Sequence, residues 1–254
     1  MPTIDQEVHA GALSALSEKR IYFGHQSVGA NILGGVDGSE HLTVSELEDV
    51  SVAPAGTIVH NFVGTNGQPR TKIEAFEETL ADGVGESVDI AFFKFCYTDI
   101  AESTDLEKLF EAYRTAMERI EAAYPETTFV YVTTPVSSRR GSFSTRLKDL
   151  AKRAIGRADL LSTRVNAERE AFNDLMRAHY GSSDRLFDLA LAEASAPGKP
   201  PLRFGGREDG YLIMRDEYAA DYGHLNERGS RYVAARLLEF LAGLAAPEAA
   251  HGAD

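Results

Sequence analysis

The chain has 254 residues, a formal net charge of −13 and one cysteine, Cys96. The acidity opposes general affinity for nucleic acid or anionic lipid, and a lone cysteine excludes a disulfide framework or a cysteine-built zinc cluster. There is no run of 18 apolar residues to span a bilayer, and residues 1–7 lack the basic and apolar regions of a signal peptide, so the expectation is a cytoplasmic protein without membrane insertion.

The predicted elements alternate between short β-rich runs and longer helical ones. A helix over 5–18 leads to a strand at 21–23 that meets Gly24. A second strand is expected at 57–63 and a helix at 71–80. The most apolar run, 88–96, reads as a buried central strand. Leu106, Leu109, Phe110, Tyr113, Met117 and Ile120 form one stripe of a helix over 105–123. A strand at 127–134 stops at Pro135. A helix at 158–180, a weaker strand at 185–189 and a helix at 227–244 complete the series. The segments 137–144 and 194–216 read as long loops, and the tail 247–254 as frayed. Strands alternating with helices imply right-handed βαβ units and a mainly parallel sheet of about five strands with helices on both faces. No linker or repeat divides residues 1–254, so one domain is expected. A single core of this size buries roughly 70–75% of its unfolded surface and needs no staples.

In open α/β sheets ligands sit beyond the carboxyl ends of the strands, so the residues after each run are the ones to read for chemistry. Ser27 follows the first strand and opens a helix. Its hydroxyl lies at the sheet edge and its N–H at a helix N-terminus, where the dipole favours an anion. That suits a nucleophile whose attack creates an oxyanion. It equally suits an N-cap, the commoner role of serine there. Late in the chain, Asp221 stands three residues before His224 on a turn containing Gly223. A carboxylate at that spacing can reach Nδ1 and leave Nε2 as a base. Asn226 then caps the last helix. The chain order Ser, Asp, His is that of α/β-hydrolases, but their G-x-S-x-G elbow is absent, with His25 in place of its first glycine.

The blocks around Gly24, His25, Gln26, Ser27 and Gly29, and from Asp221 to His224, resemble those of the SGNH (GDSL-like) hydrolase superfamily. The likeness covers most of the chain. The segment Phe187, Asp188, Leu189, Ala190 with Glu193, and then Glu217, Tyr218, His224, Leu225, Asn226 and Gly229, is similar to bacterial members with a Gly-His-Gln-Ser block. An extra residue between Gly24 and Ser27 marks a divergent branch. The resemblance implies a three-layer α/β/α flavodoxin-like fold, Ser27 as nucleophile, His224 as base and Asp221 as its orienter. It also implies an oxyanion hole from a glycine after the second strand and an asparagine after the third. The glycine block falls on Gly64, Thr65, Asn66 and Gly67. The asparagine of the Gly-x-Asn-Asp block is Thr98 here, and Asn66 is the alternative donor. The implied activity is hydrolysis of a short-acyl or acetyl ester, on a small molecule or a glycan, with no cofactor or metal.

Other residues have plainer readings. His25 orients the nucleophile loop, contacts substrate, or only bonds the backbone. His60 reads as a partly buried strand histidine and Cys96 as a core residue. Asp99 reads as a turn or cap, and Arg139 and Arg140 as a solvated loop or a holder of an anionic substrate. The run from Gly83 to Val88 begins like a dinucleotide-binding loop, but it lacks the last glycine and precedes a strand. Two rival functions stand beside the esterase. One is a non-catalytic binding protein on the same scaffold, motivated by Thr98. The other is a two-carboxylate glycosidase using Asp221 with Asp99 or Asp188.

Overall fold

A computed structural model describes residues 4, 8, 10–47, 53–139, 165–204 and 210–245. The elements in chain order are α1 (Ala10–Leu16), β1 (Arg20–His25), α2 (Ser27–Gly34), β2 (Thr43–Glu46), β3 (Thr57–Phe62), α3 (Pro69–Thr79), β4 (Ile90–Phe93), α4 (Leu106–Ala123), β5 (Thr128–Phe129), β6 (Tyr131–Val132), α5 (Val165–Tyr180), β7 (Leu186–Phe187), α6 (Leu189–Ala194) and α7 (Glu227–Ala245). A π-turn, Leu80–Val84, and one further helical turn, Gly85–Ser87, extend α3 toward β4.

Every registered strand pair is parallel. The main sheet has the order β2-β3-β1-β4-β5, and β6 pairs with β7. β5 and β6 are two halves of one extended segment. The Val130 N–H still bonds Ala91 beside β4, whereas the Tyr131 and Thr133 N–H groups bond Arg185 and Phe187 on the other side. Without the edge strand β2, the order is that of flavodoxin-like sheets. From β1 the chain moves out to β3 and then crosses back past β1 to β4. The crevice of such a sheet opens where the order reverses, beyond the carboxyl ends of β1 and β4.

Side-chain alternation builds the three layers. Ile21, Phe23, Ile90 and Phe92 face one core with Leu13 and Leu16 of α1, Val28 and Ile32 of α2, and Val233, Leu237 and Leu241 of α7. Tyr22, Ala91 and Phe93 face the other, with Ile73 and Phe76 of α3, Leu109, Tyr113 and Met117 of α4, and Phe172 and Met176 of α5. β4 is buried on both faces, which is why its sequence is continuously apolar.

Several expectations change. The central strand is four residues, Ile90–Phe93, because the chain turns into a loop from Lys94 onward. β2 was not anticipated, since Thr43–Glu46 is an exposed edge without an apolar run. The segment 194–216 contains ordered bridges, Ala196 to Lys199 and Arg203 to Leu212. The expected helix residues 158–164, the residues 140–144 of the first loop and the tail 247–254 lie outside the described residues. No helix among the described residues is long and apolar enough to cross a membrane.

Candidate active site

Ser27 is the first residue of α2, and the N-cap position is Gln26, which makes no side-chain capping bond. The cap reading of Ser27 therefore gives way. Its Oγ lies 3.0 Å from Nε2 of His224. As N1 of the helix, its own N–H is one of the first-turn donors that have no intrahelical partner. Gln26 reaches sideways to the loop after the neighbouring strand β3: its Nε2 donates to the carbonyls of Val63 (3.0 Å) and Gly64 (2.9 Å).

His224 and Asp221 are held by the turn between them. Asp221 Oδ1 accepts the N–H groups of Gly223 (2.9 Å) and His224 (2.8 Å), and Oδ2 lies 2.8 Å from His224 Nδ1. A carboxylate only accepts, so Nδ1 carries the proton and Nε2 is the free base toward Ser27. Burial opposes ionisation of Asp221, but the two N–H groups and the imidazole outweigh it and hold the carboxyl below its ordinary value. The His224 and Asp221 side chains are 32% and 39% exposed, so solvent and ligand reach them. The Tyr97 ring meets the imidazole edge to face, with centroids 5.7 Å apart. Asn226 caps α7 through the Gly229 N–H (2.9 Å) and ties back to the Glu217 carbonyl (3.0 Å). Asn31 of α2 accepts from the Leu225 N–H at 3.2 Å, joining the two ends of the site directly.

The remaining candidates separate. His25 is fully buried behind the nucleophile turn. Its Nδ1 donates to the Gln26 carbonyl (2.8 Å), so its Nε2 accepts from His60 Nδ1 (3.1 Å). Gly64 adopts a left-handed φ of +59°, and a β-carbon there would lie 2.6 Å from the backbone nitrogen of Lys72. Asn66 is exposed on the same loop. Thr98 sits after β4, but its hydroxyl is closed to solvent and has no partner. Asp99 is neither a simple turn nor a cap: it is a buried partner of Lys72, 2.5 Å away. Asp188 caps α6 and pairs with Arg177, so neither carboxylate faces Asp221 across an open cleft. Arg139 is exposed, with its guanidinium 4.9 Å from the Phe204 ring centroid. It follows Ser138, whose N–H and hydroxyl bond the Tyr222 and Asp221 carbonyls. Arg140 lies outside the described residues.

Sequence reasoning missed the buried ionisable side chains that brace these loops. Arg169 of α5, with no exposed surface, donates from Nε to the Tyr97 carbonyl at 2.8 Å, and burial lowers its guanidinium to about 10. Glu193 accepts the Val136 N–H at 2.7 Å, and burial raises its carboxyl to about 8. Burial also lowers the amine of Lys94. Glu193 was visible only as part of a block, Lys94 only as a cation inside an apolar run, and Arg169 only as one charge between Glu168 and Glu170.

No protein-family model matches the chain, and no curated protein matches it in sequence. Solved structures do. A Streptococcus pneumonia protein named as a platelet activating factor aligns with 94% of this chain and 90% of its own, at 14% identity and a TM-score of 0.53. A lipolytic-type protein of the G-D-S-L family from Desulfitobacterium hafniense DCB-2 aligns with 87% of this chain and 99% of its own, at 9% identity and a TM-score of 0.50. The chain shares the α/β fold of these two proteins. On this fold, Ser27 follows the first of the five core strands and His224 directly precedes the last helix. The candidate site residues thus come from the two ends of the chain and meet where the crevice opens beyond the carboxyl ends of the strands.

Proposed function

We propose that this protein is a serine-dependent esterase that cleaves a short-acyl or acetyl ester through an acyl-enzyme. The observation that carries this reading is the unbroken line Ser27 Oγ, His224 Nε2, His224 Nδ1, Asp221 Oδ2, with links of 3.0 and 2.8 Å at its two contacts. Those distances lie within the reach a base needs to take a proton from a nucleophile.

In this reading His224 removes the Ser27 proton as Oγ attacks the ester carbonyl. The negative charge that develops on the carbonyl oxygen faces the N-terminus of α2 and the Ser27 N–H. Asp221 stabilises the imidazolium without itself taking the proton. The tetrahedral intermediate collapses, His224 passes the proton to the leaving alkoxide, and the alcohol departs. Water, deprotonated by His224, then attacks the acyl-serine, releasing the acid and restoring Ser27. The net acidity of the chain favours a neutral acyl group and leaving group. A glycan ester fits the same chemistry, with stacking supplied by Tyr or Phe because the chain has no Trp.

The test is hydrolysis of p-nitrophenyl acetate by the parent, Ser27→Ala and His224→Ala proteins, with fluorophosphonate labelling alongside. Loss of activity by at least ~10³-fold in both variants, and labelling that disappears in Ser27→Ala, is the expected result. Unchanged hydrolysis by both variants would overturn the assignment. Folded parent protein that neither labels nor hydrolyses would favour the binding-protein reading.

A further inference from the structure

The esterase reading needs a side-chain donor for the oxyanion, and the position after the third core strand is Thr98. The Thr98 hydroxyl cannot serve as it stands, because it is closed to solvent and therefore to a substrate oxygen. Asn66 differs in both respects that matter. It is exposed, and its amide has a defined orientation: Oδ1 accepts from Lys72 Nζ at 2.9 Å. An ammonium only donates, so the atom facing Lys72 is the oxygen and the NH₂ group is turned away from it.

Lys72 is itself fixed. Its side chain has no exposed surface, and Nζ lies 2.5 Å from Asp99 Oδ2. Asp99 also accepts the Cys96 N–H (2.6 Å) and the Gly67 N–H (2.8 Å). One buried pair thus ties the loop after β3, which carries Asn66, to the loop after β4. The Gln26 amide ties the first of these loops to the nucleophile turn through the Val63 and Gly64 carbonyls. The close approach of Gly64 to the Lys72 backbone brings the loop back onto the first turn of α3, from which Lys72 reaches it.

We propose that Lys72, locked by Asp99, is a positioning residue that aims the Asn66 amide at the oxyanion formed at Ser27. This rests on the serine-esterase reading. A buried pair of charges is costly to assemble, and this one fixes the oxygen of the Asn66 amide. The hole is then built from the Ser27 N–H and the Asn66 amide, with a donor from the loop after β3 replacing the one expected after β4.

The experiment measures kcat and KM on p-nitrophenyl acetate for Ser27→Ala, Asn66→Asp, Thr98→Val, Lys72→Met and Lys72→Met/Asn66→Asp. Asn66→Asp keeps the size of the side chain but replaces the donor with an oxygen. It is expected to lower kcat by about 10²–10³-fold, with KM within about twofold, and more than Thr98→Val does. Lys72→Met is expected to lower kcat in the Asn66 background and to add little in the Asn66→Asp background. A purely structural lysine would cost the same in both. Where Lys72→Met does not fold, Lys72→Met/Asp99→Asn removes both charges while keeping an acceptor oxygen for one of the Cys96 and Gly67 N–H groups, and reads the same coupling. If Ser27→Ala stays active, the esterase reading fails. If Ser27→Ala is inactive but Asn66→Asp retains the parent kcat, or the Lys72 effect is additive, this inference alone fails.

Discussion

Gly223 lies so close to Tyr97 that a β-carbon on it would sit 2.3 Å from the ring Cζ. The turn that carries Asp221 and His224 is therefore seated directly on the ring that packs against the imidazole. Gly223→Ala must push the turn off Tyr97 or displace the ring, and overpacking of this kind costs about 1–3 kcal/mol. A shift of ~1 Å at His224 is worth about 10²-fold in rate. The expected outcome is a kcat lower by roughly 10–10²-fold with a modest fall in melting temperature. Parent-like kinetics would mean that the ring moves freely.

The Gln26 amide ties the nucleophile turn to two carbonyls of the loop after β3. Gln26→Glu replaces that donor with a carboxyl that, once ionised, faces both acceptors without a proton to share. Two hydrogen bonds at about 0.5–1.5 kcal/mol each are lost, and carbonyl–carboxylate repulsion is added. Denaturant titration should show at least ~1–3 kcal/mol of destabilisation, with Gln26→Ala milder than Gln26→Glu. The reverse ranking would contradict the donor role.

His25 links protonation to stability. Burial, chiefly, lowers its imidazole to about 4, against the pull of the Gln26 carbonyl and with help from Lys94 and His60. His60 moves in the same direction, also by burial, with Glu46 on the neighbouring strand opposing it. The folded value lies below that of the unfolded chain, so the unfolded chain takes up the proton first. The stability contributed by neutral His25 is complete above about pH 6.5 and falls as the pH drops toward 4. At about 1.4 kcal/mol per pH unit, the loss is on the order of 3 kcal/mol. Protonation also removes the acceptor that His60 uses. Urea unfolding at pH 7.5 and 4.5 should show this loss in the parent and most of it gone in His25→Gln. An unchanged pH dependence would show that other groups cause it.

Two glycines at helix ends should respond in opposite directions. A β-carbon on Gly35 would meet the Ser230 carbonyl oxygen at 2.3 Å, where α2 packs on α7, whereas Gly243 in α7 has open space around it. Gly35→Ala should lower the melting temperature by several degrees. Gly243→Ala should raise it by about 1–4 °C, since replacing a helical glycine contributes about 0.5–1 kcal/mol. Thermal melts of both variants decide this, and a fall for Gly243→Ala would refute the open-space argument.

The sheet-and-helix alternation was legible because apolar periodicity is a local property. The 3.6-residue stripe of α4 and the doubly apolar β4 announce themselves in a few residues each. Ser27, Asp221 and His224 were legible for the same reason: each sits in a short signal, a strand-to-helix junction or a D-x-x-H turn. β2 was not, because an exposed edge strand has no apolar face to display. The change of partner within β5 and β6 was not legible either, because it depends on which strands flank that segment. Lys72, Asp99, Arg169 and Glu193 stayed hidden because a charged residue on a helix or loop reads as solvent-facing until its partner is placed beside it. Asp99 lies 27 residues from Lys72, and the Tyr97 carbonyl 72 residues from Arg169. By itself, then, the sequence determined the acidity, the α/β alternation and the residue types of the candidate site. Only the tertiary structure decided that Ser27 and His224, 197 residues apart, come within 3.0 Å. Only it decided that Asn66, with Thr98 closed off, faces solvent on a loop braced by a buried ion pair. Those outcomes depend on how the parallel sheet brings distant loops together at one edge, and no local pattern encodes that.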